Sequence, residues 1–140
     1  MSTPTSTQAP APLQAWHALV AERSMKGLNA LLAEDVVFHS PVVHTPQAGK
    51  AITAQYLYAA FHVFFNDSFR YVRETVAADH AILEFEVQIE GVHVNGIDMI
   101  TWNADGKISA FKVMVRPLKA IQLIHQKMGA MLEAQKAKAG

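Results

Sequence analysis

The chain has 140 residues, twelve basic and twelve acidic, and no cysteine. That length suits one domain able to bury a core without staples, and 51% hydrophobic against 17% charged residues marks a folded rather than a disordered chain. The charge balance argues against the basic stripe of a nucleic-acid surface and a polybasic membrane patch, and the missing cysteine excludes disulfides, Cys-based zinc sites and thiol nucleophiles.

The opening "MSTPTSTQAPAP" has neither the charged region nor the apolar run of a signal peptide. No stretch approaches the ~18 apolar residues of a membrane span. The expectation is a soluble, cytoplasmic protein with no membrane partner. Residues 1–11 have little to bury and read as a disordered tail. A helical period starts at Pro12, with Leu13, Trp16, Leu19 and Val20 on one face, and Gly27 interrupts it before Leu28, Leu31 and Leu32. "VVFHSPVV" (36–43) predicts a strand that Pro41 keeps short or at an edge. After the loop "HTPQAGK" (44–50), residues 50–65 predict a long helix with Ile52, Tyr56, Ala59 and Val63 on one stripe.

From residue 69 the period becomes two. "FRYVRETV" (69–76), "AILEFEVQIE" (81–90), "HVNGIDMITWN" (93–103) and "ISAFKVMVR" (108–116) each predict a strand. Tight turns at Asp79, at Glu90-Gly91 and at Asn103-Ala104-Asp105-Gly106 predict an antiparallel meander. Pro117 ends the last strand, and a final helix carries Leu118, Ile121, Ile124 or His125, Met128, Met131 and Leu132. One domain over 12–133, with 134–140 as a frayed tail, is the expected organisation. Helices segregated from an antiparallel sheet predict an α+β fold: a curved antiparallel sheet wrapped around the long helix, forming a cone with an apolar interior and an additional C-terminal helix.

One residue breaks the pattern. In "NGIDMITWN" (95–103), Asp98 stands among Ile97, Met99, Ile100 and Trp102. Aspartate is disfavoured in strands and is seldom buried without a partner. Alternation puts Val94, Asp98, Ile100 and Trp102 on one face of the strand. Burial there would raise the carboxyl pKa, and the neutral acid would be a hydrogen-bond donor. The same burial also suits an aspartate that bonds a tyrosine, a tryptophan or the backbone and ties the fold together.

The element order, with "FHSPVV" before the long helix and "GIDMITWNADGKISAFKVMVRP" at the end, resembles the SnoaL-like branch of the nuclear transport factor 2-like (NTF2-like, cystatin-like cone) superfamily over about residues 13–116. The Ile-Asp-x-x-x-aromatic-Asn-x-x-Gly-Lys-Ile run is similar to one in the ketosteroid isomerases. There the aspartate, held neutral in an apolar pocket, donates to a developing oxyanion. The resemblance puts Asp98 in that position, and Phe111, Val113 and Val115 on the pocket wall beside it.

It also shows two departures. Trp16 stands where the isomerases carry an oxyanion-hole tyrosine, and Ser40 where they carry a general-base aspartate. An indole N–H donates but lacks a phenol's acidity, and serine alone cannot abstract a carbon-bound proton. Both departures count against steroid isomerisation itself.

Among the other candidates, His44 lies in a loop able to reach the cone mouth and is the candidate base beside the acid Asp98. Two histidines five apart across a proline, His39 and His44, lack an acidic third ligand, so no metal site is expected. Nothing calls for a nucleotide or flavin, so no cofactor is expected. Trp16, Phe38, Ser40, Tyr56, Ile100, Trp102, Phe111, Val113 and Val115 are the expected ligand-binding wall. Ile97, Met99 and Met114 are apolar on the opposite face, where the family commonly dimerises, which implies a homodimer through the outer sheet face.

Three functions fit these residues. One is cofactor-free acid–base chemistry, as an isomerase, cyclase or hydrolase, on a polyketide-, terpenoid- or steroid-like small hydrophobic ligand. The second is non-catalytic binding of such a ligand. The third is an interaction module with a structural Asp98 and a pocket plugged by the helix at 118–133.

Overall fold

A computed structural model describes residues 9–139. The chain runs α1 (Ala11–Ala21), α2 (Leu28–Leu31), β1 (Leu32–His39), β2 (Gln47–Ala48), α3 (Lys50–Phe64), β3 (Arg70–Val76), β4 (His80–Ile89), β5 (Val92–Trp102), β6 (Ile108–Arg116) and α4 (Leu118–Ala139). Most of the predicted tail at 1–11 lies outside the described residues. Ala11 is already helical, and α4 continues past residue 133 to Ala139.

Proline in the first turn of α1 suits a position whose N–H has no helical partner. The helix turns Leu13, Trp16 and Val20 inward at the spacing of one face. Gly27, at φ 94°, starts the single turn of α2. Leu32, read from the sequence as part of that second helical face, is instead the first residue of β1. The strand therefore begins four residues earlier than predicted and ends before Ser40. There the Ser40 hydroxyl oxygen accepts the Val42 and Val43 N–H groups and turns the chain out of the sheet. Pro41 thus lies beyond the ladder, and β1 is an inner strand between β2 and β6 rather than an edge.

The sheet has six strands in the order β2-β1-β6-β5-β4-β3. The expected curved antiparallel sheet wrapped around the long helix is corrected on two counts. The sheet is open and does not curl closed, because its end strands β2 and β3 are not neighbours. It is also mixed, because β1 runs parallel to β6. The cause is local: β2 is only two residues long and follows Pro46, so that side of the sheet ends in a stub with almost no ladder to extend. The α+β class and the additional C-terminal helix stand. α3 packs over β1 and β4, and α4 lies against α3, β5 and β6, with Lys127 of α4 paired to Glu90 at the β4–β5 turn. Among the described residues no helix is long and apolar enough to cross a membrane.

β4 and β5 follow the predicted alternation, whereas edge strand β3 is exposed along nearly its whole length. Glu90 and Gly91 both have positive φ, 50° and 80°, the backbone a two-residue hairpin demands. On β5 the inner face reads Val94, Gly96, Asp98, Ile100, Trp102, all buried. Gly96 is there for space: a Cβ would sit 2.5 Å from the Met114 carbonyl oxygen and 2.6 Å from Phe85 Cζ. The missing side chain leaves the Phe85 ring room against β5, two residues from Asp98.

Candidate functional site

Asp98 lies in the middle of the inner face, opposite Leu83 on β4 and Val113 on β6. Only 7% of it is exposed. Its partner comes from β3. Tyr71 is opposite Phe85 in the ladder, and its side chain reaches past β4 to donate its O–H to Asp98 Oδ2 at 2.6 Å. Trp16 of α1 donates its indole N–H to the Tyr71 hydroxyl oxygen at 3.0 Å. Trp16, Tyr71 and Asp98 therefore form a directed chain: indole to phenol to carboxyl.

Burial pushes the Asp98 carboxyl up to about 7, with the Tyr71 hydrogen bond pulling partly the other way. Burial also holds the Tyr71 phenol well above its usual range, and the neighbouring Asp98 charge adds to that. Near neutral pH the carboxyl is thus poised between acid and carboxylate, while the phenol stays protonated and keeps donating. Among the described residues Tyr71 is the only side chain bonded to the carboxyl, which leaves its second oxygen for a ligand.

Asp98 opens onto a narrow cavity between the sheet and α3, lined by Trp16, Phe61, Phe65, Phe69 and Phe111 among others. Among the described residues it is the only ionisable one of that lining. Trp16 meets Phe111 edge-on at 4.9 Å, which fixes the indole over the cavity. An apolar slot with one acid and a supporting phenol can grip one oxygen of a ligand and stabilise charge that develops on it. Among the described residues no three His, Cys, Asp or Glu side chains gather in a way that could hold a metal ion.

The expected wall residues separate into groups. Trp16, Phe111 and Val113 surround the Asp98 cavity. Phe38, Ser40 and Tyr56 line a second cavity beneath α4, which Val113 also borders. Four expected site residues lie outside both. Ile100 is fully buried in the core. Trp102, at the far end of β5, donates its indole N–H to the Ala78 carbonyl. Val115 sits half-buried beside Gly96 and Met114 at a shallow depression. His44 is exposed in the loop between β1 and β2. Strand alternation assigns a face but not a distance along the strand, which is why Ile100 and Trp102 share Asp98's side and miss its cavity.

Tyr71 was not among the sequence candidates. Phe69 and Tyr71 do alternate into the core, but nothing local distinguishes a tyrosine that meets a carboxyl 27 residues later from one that only packs.

A family model described as SnoaL-like domain matches residues 13–111. A crystal structure of a steroid delta-isomerase from Pseudomonas aeruginosa is 39% identical, with a TM-score of 0.86 over 91% of this chain and 93% of that one. An uncharacterized protein conserved in bacteria with a cystatin-like fold, from Silicibacter pomeroyi, is 30% identical, with a TM-score of 0.81 over 92% of each chain. An NTF2-like protein of unknown function from Mesorhizobium loti shares the fold at 20% identity, with a TM-score of 0.67 over 84% of this chain and 98% of that one. Among curated proteins nothing matches the chain.

Proposed function

We propose that this chain, which belongs to the SnoaL-like domain family, binds an apolar small molecule through a carbonyl or hydroxyl oxygen and carries out cofactor-free acid–base chemistry on it. The substrate class is polyketide-, terpenoid- or steroid-like, and the reaction an isomerisation, cyclisation or hydrolysis. The observation that carries this reading is Asp98, among the described residues the only ionisable group of an otherwise apolar cavity, bonded at 2.6 Å to Tyr71 and raised to about 7. A carboxyl in that state donates to a carbonyl oxygen as negative charge builds on it. The 39% identity to a steroid delta-isomerase supports the same chemistry.

One observation favours a second reading, binding without turnover. Among the described residues no second ionisable side chain lines the Asp98 cavity, and the Ser40 oxygen is engaged with the Val42 and Val43 N–H groups. Proton exchange separates the two readings. An enzyme of this kind is expected to accelerate deuterium uptake at the carbon next to a bound ketone, followed by NMR, and Asp98→Asn to slow it at least a hundredfold. Ligand binding with uptake no faster than in buffer establishes the carrier reading. No binding by any ketone, lactone or phenol in a thermal-shift panel overturns both.

The homodimer belongs to the same proposal. Met114, 48% exposed, pairs with Ile97 on the face of the sheet opposite Asp98. A dimeric mass by light scattering is expected at micromolar concentration, and a monomeric one overturns it.

A further inference from the structure

The free space beside the Asp98 carboxyl is about 30 Å³, whereas an apolar cavity that takes up a single benzene ring measures roughly 150 Å³. A ring can reach the carboxyl only if part of the wall moves. Most of the lining is carried by α1, α3 and the inner strands. Among the described residues, three lining side chains stand outside every helix and strand: Met25 in the α1–α2 connection, and Phe65 and Phe69 in the α3–β3 connection.

One exposed side chain ties these two connections together. The Arg23 guanidinium donates to the Val20 carbonyl at 2.8 Å, and to the Asn66 and Phe69 carbonyls at 3.4 Å each. It also lies over the Phe65 ring at 5.5 Å and the Phe69 ring at 5.9 Å. The two bonds that cross between the connections are at the long, weak end of the range, so they can be released. Arg23 takes a left-handed φ of 53°, which crowds an L side chain, and Gly27 ends the connection at φ 94°. Met25 lies between them, only 5% exposed. It faces the Asp98 slot on one side and borders a surface groove with the exposed Tyr58 and His62 on the other. The thioether therefore has a place to go when it leaves the slot.

We infer that residues 22–27 form a gate to the Asp98 slot, with Met25 as its plug and Arg23 as the latch that closes it onto Phe65 and Phe69. Opening moves Met25 into the groove, and the ligand takes the space it vacates. The closed gate lowers apparent affinity by the fraction of molecules that are open. The inference rests on the reading of Asp98 as the anchor for a ligand oxygen, and it makes the α1–α2 connection the part of the chain that decides access.

Acetophenone, a ketone on a single ring, tests both. It is titrated into the full chain and followed by the amide NMR shifts of the protein. Arg23→Gly removes the latch and suits the left-handed backbone, so the variant keeps its turn. Arg23→Lys keeps the charge but cannot bridge the three carbonyls at once. Each is expected to tighten acetophenone at least fivefold, as is Met25→Ala, which deletes the plug. Arg23→Gly added to Met25→Ala should tighten it less than twofold further, because a latch without a plug has nothing to release. Asp98→Asn should weaken it in every background. Binding seen only in the latch and plug variants also supports the gate. If both Arg23 variants bind acetophenone within twofold of the parent while Asp98→Asn weakens it, the gate is wrong and the Asp98 anchor stands. If no variant binds, or Asp98→Asn leaves the affinity unchanged, the anchor fails and the gate with it.

Discussion

Asp98→Asn is expected to make the protein more stable at pH 8 and to leave it nearly unchanged at pH 4. The sign follows from where the proton is held. In the unfolded chain the carboxyl titrates at its ordinary value near 3.8, and in the fold at about 7. Between those values the folded state binds the proton that the unfolded state has released. Stability therefore falls as pH rises from about 4 to about 7, and the loss is complete once Asp98 is ionised in both states. A displacement of roughly three pKa units corresponds to a cost of about 4 kcal/mol, a large share of the ~5–15 kcal/mol that typically holds a domain together. The amide of the variant still accepts from Tyr71 and never ionises, so the cost disappears. Urea denaturation of both proteins from pH 4 to pH 8 measures it as a difference, in which the other titrating groups cancel. Tyr71→Phe should move the upper limit of the window to higher pH, because it removes the donor that pulls the Asp98 pKa down. Parallel stability curves for parent and Asp98→Asn would mean that the carboxyl titrates normally in the fold, and would remove the basis for a neutral acid in the cavity. A buried acid that costs this much at working pH fits a residue kept for chemistry better than one kept for architecture.

Phe85→Ala should cost about 3–5 kcal/mol, the range for deleting a buried aromatic ring that its surroundings cannot replace. The ring is 2% exposed. It stacks on Phe69 at 5.3 Å and meets Phe64 edge-on at 5.5 Å. It also fills the space left by the missing side chain of Gly96. Its neighbours are rings held by other strands and helices, so the void cannot collapse cheaply. The ring is a wall of the Asp98 cavity as well, so the same substitution widens that cavity toward β4. Urea unfolding at pH 5, where Asp98 is mostly protonated in the fold, isolates the packing loss. A cost below about 1 kcal/mol would show that the aromatic cluster repacks and is no rigid floor for a ligand.

Strand existence and phase were legible because pleat alternation is a local property: side chains two apart share a face whatever the strand pairs with. That is enough to set Asp98 inward with Val94, Ile100 and Trp102, and to ask why an acid is there. The helical stripes of α1, α3 and α4 were legible for the same kind of reason. β1 was misread because "VVFHSPVV" looks continuous. The break at Ser40 is a side-chain-to-backbone turn, and the start at Leu32 depends on pairing with β6, 76 residues away.

By itself, then, the sequence determined the order of the elements other than β2, which lies in the stretch read as a loop, together with the inward face of β5 and the acid upon it, since each follows from residues within one segment. The tertiary structure decided the rest. It brought Trp16, Tyr71 and Asp98 into one hydrogen-bonded chain from three separate elements. It left the sheet open, with β2 and β3 at its edges. It divided the expected pocket into two cavities across Ala60, Phe64 and Val113, and put His125 beside the outer one. Each of these depends on how far along a strand a residue lies and on which helix packs above it. Those quantities are set by long-range register and packing, and no local period encodes them.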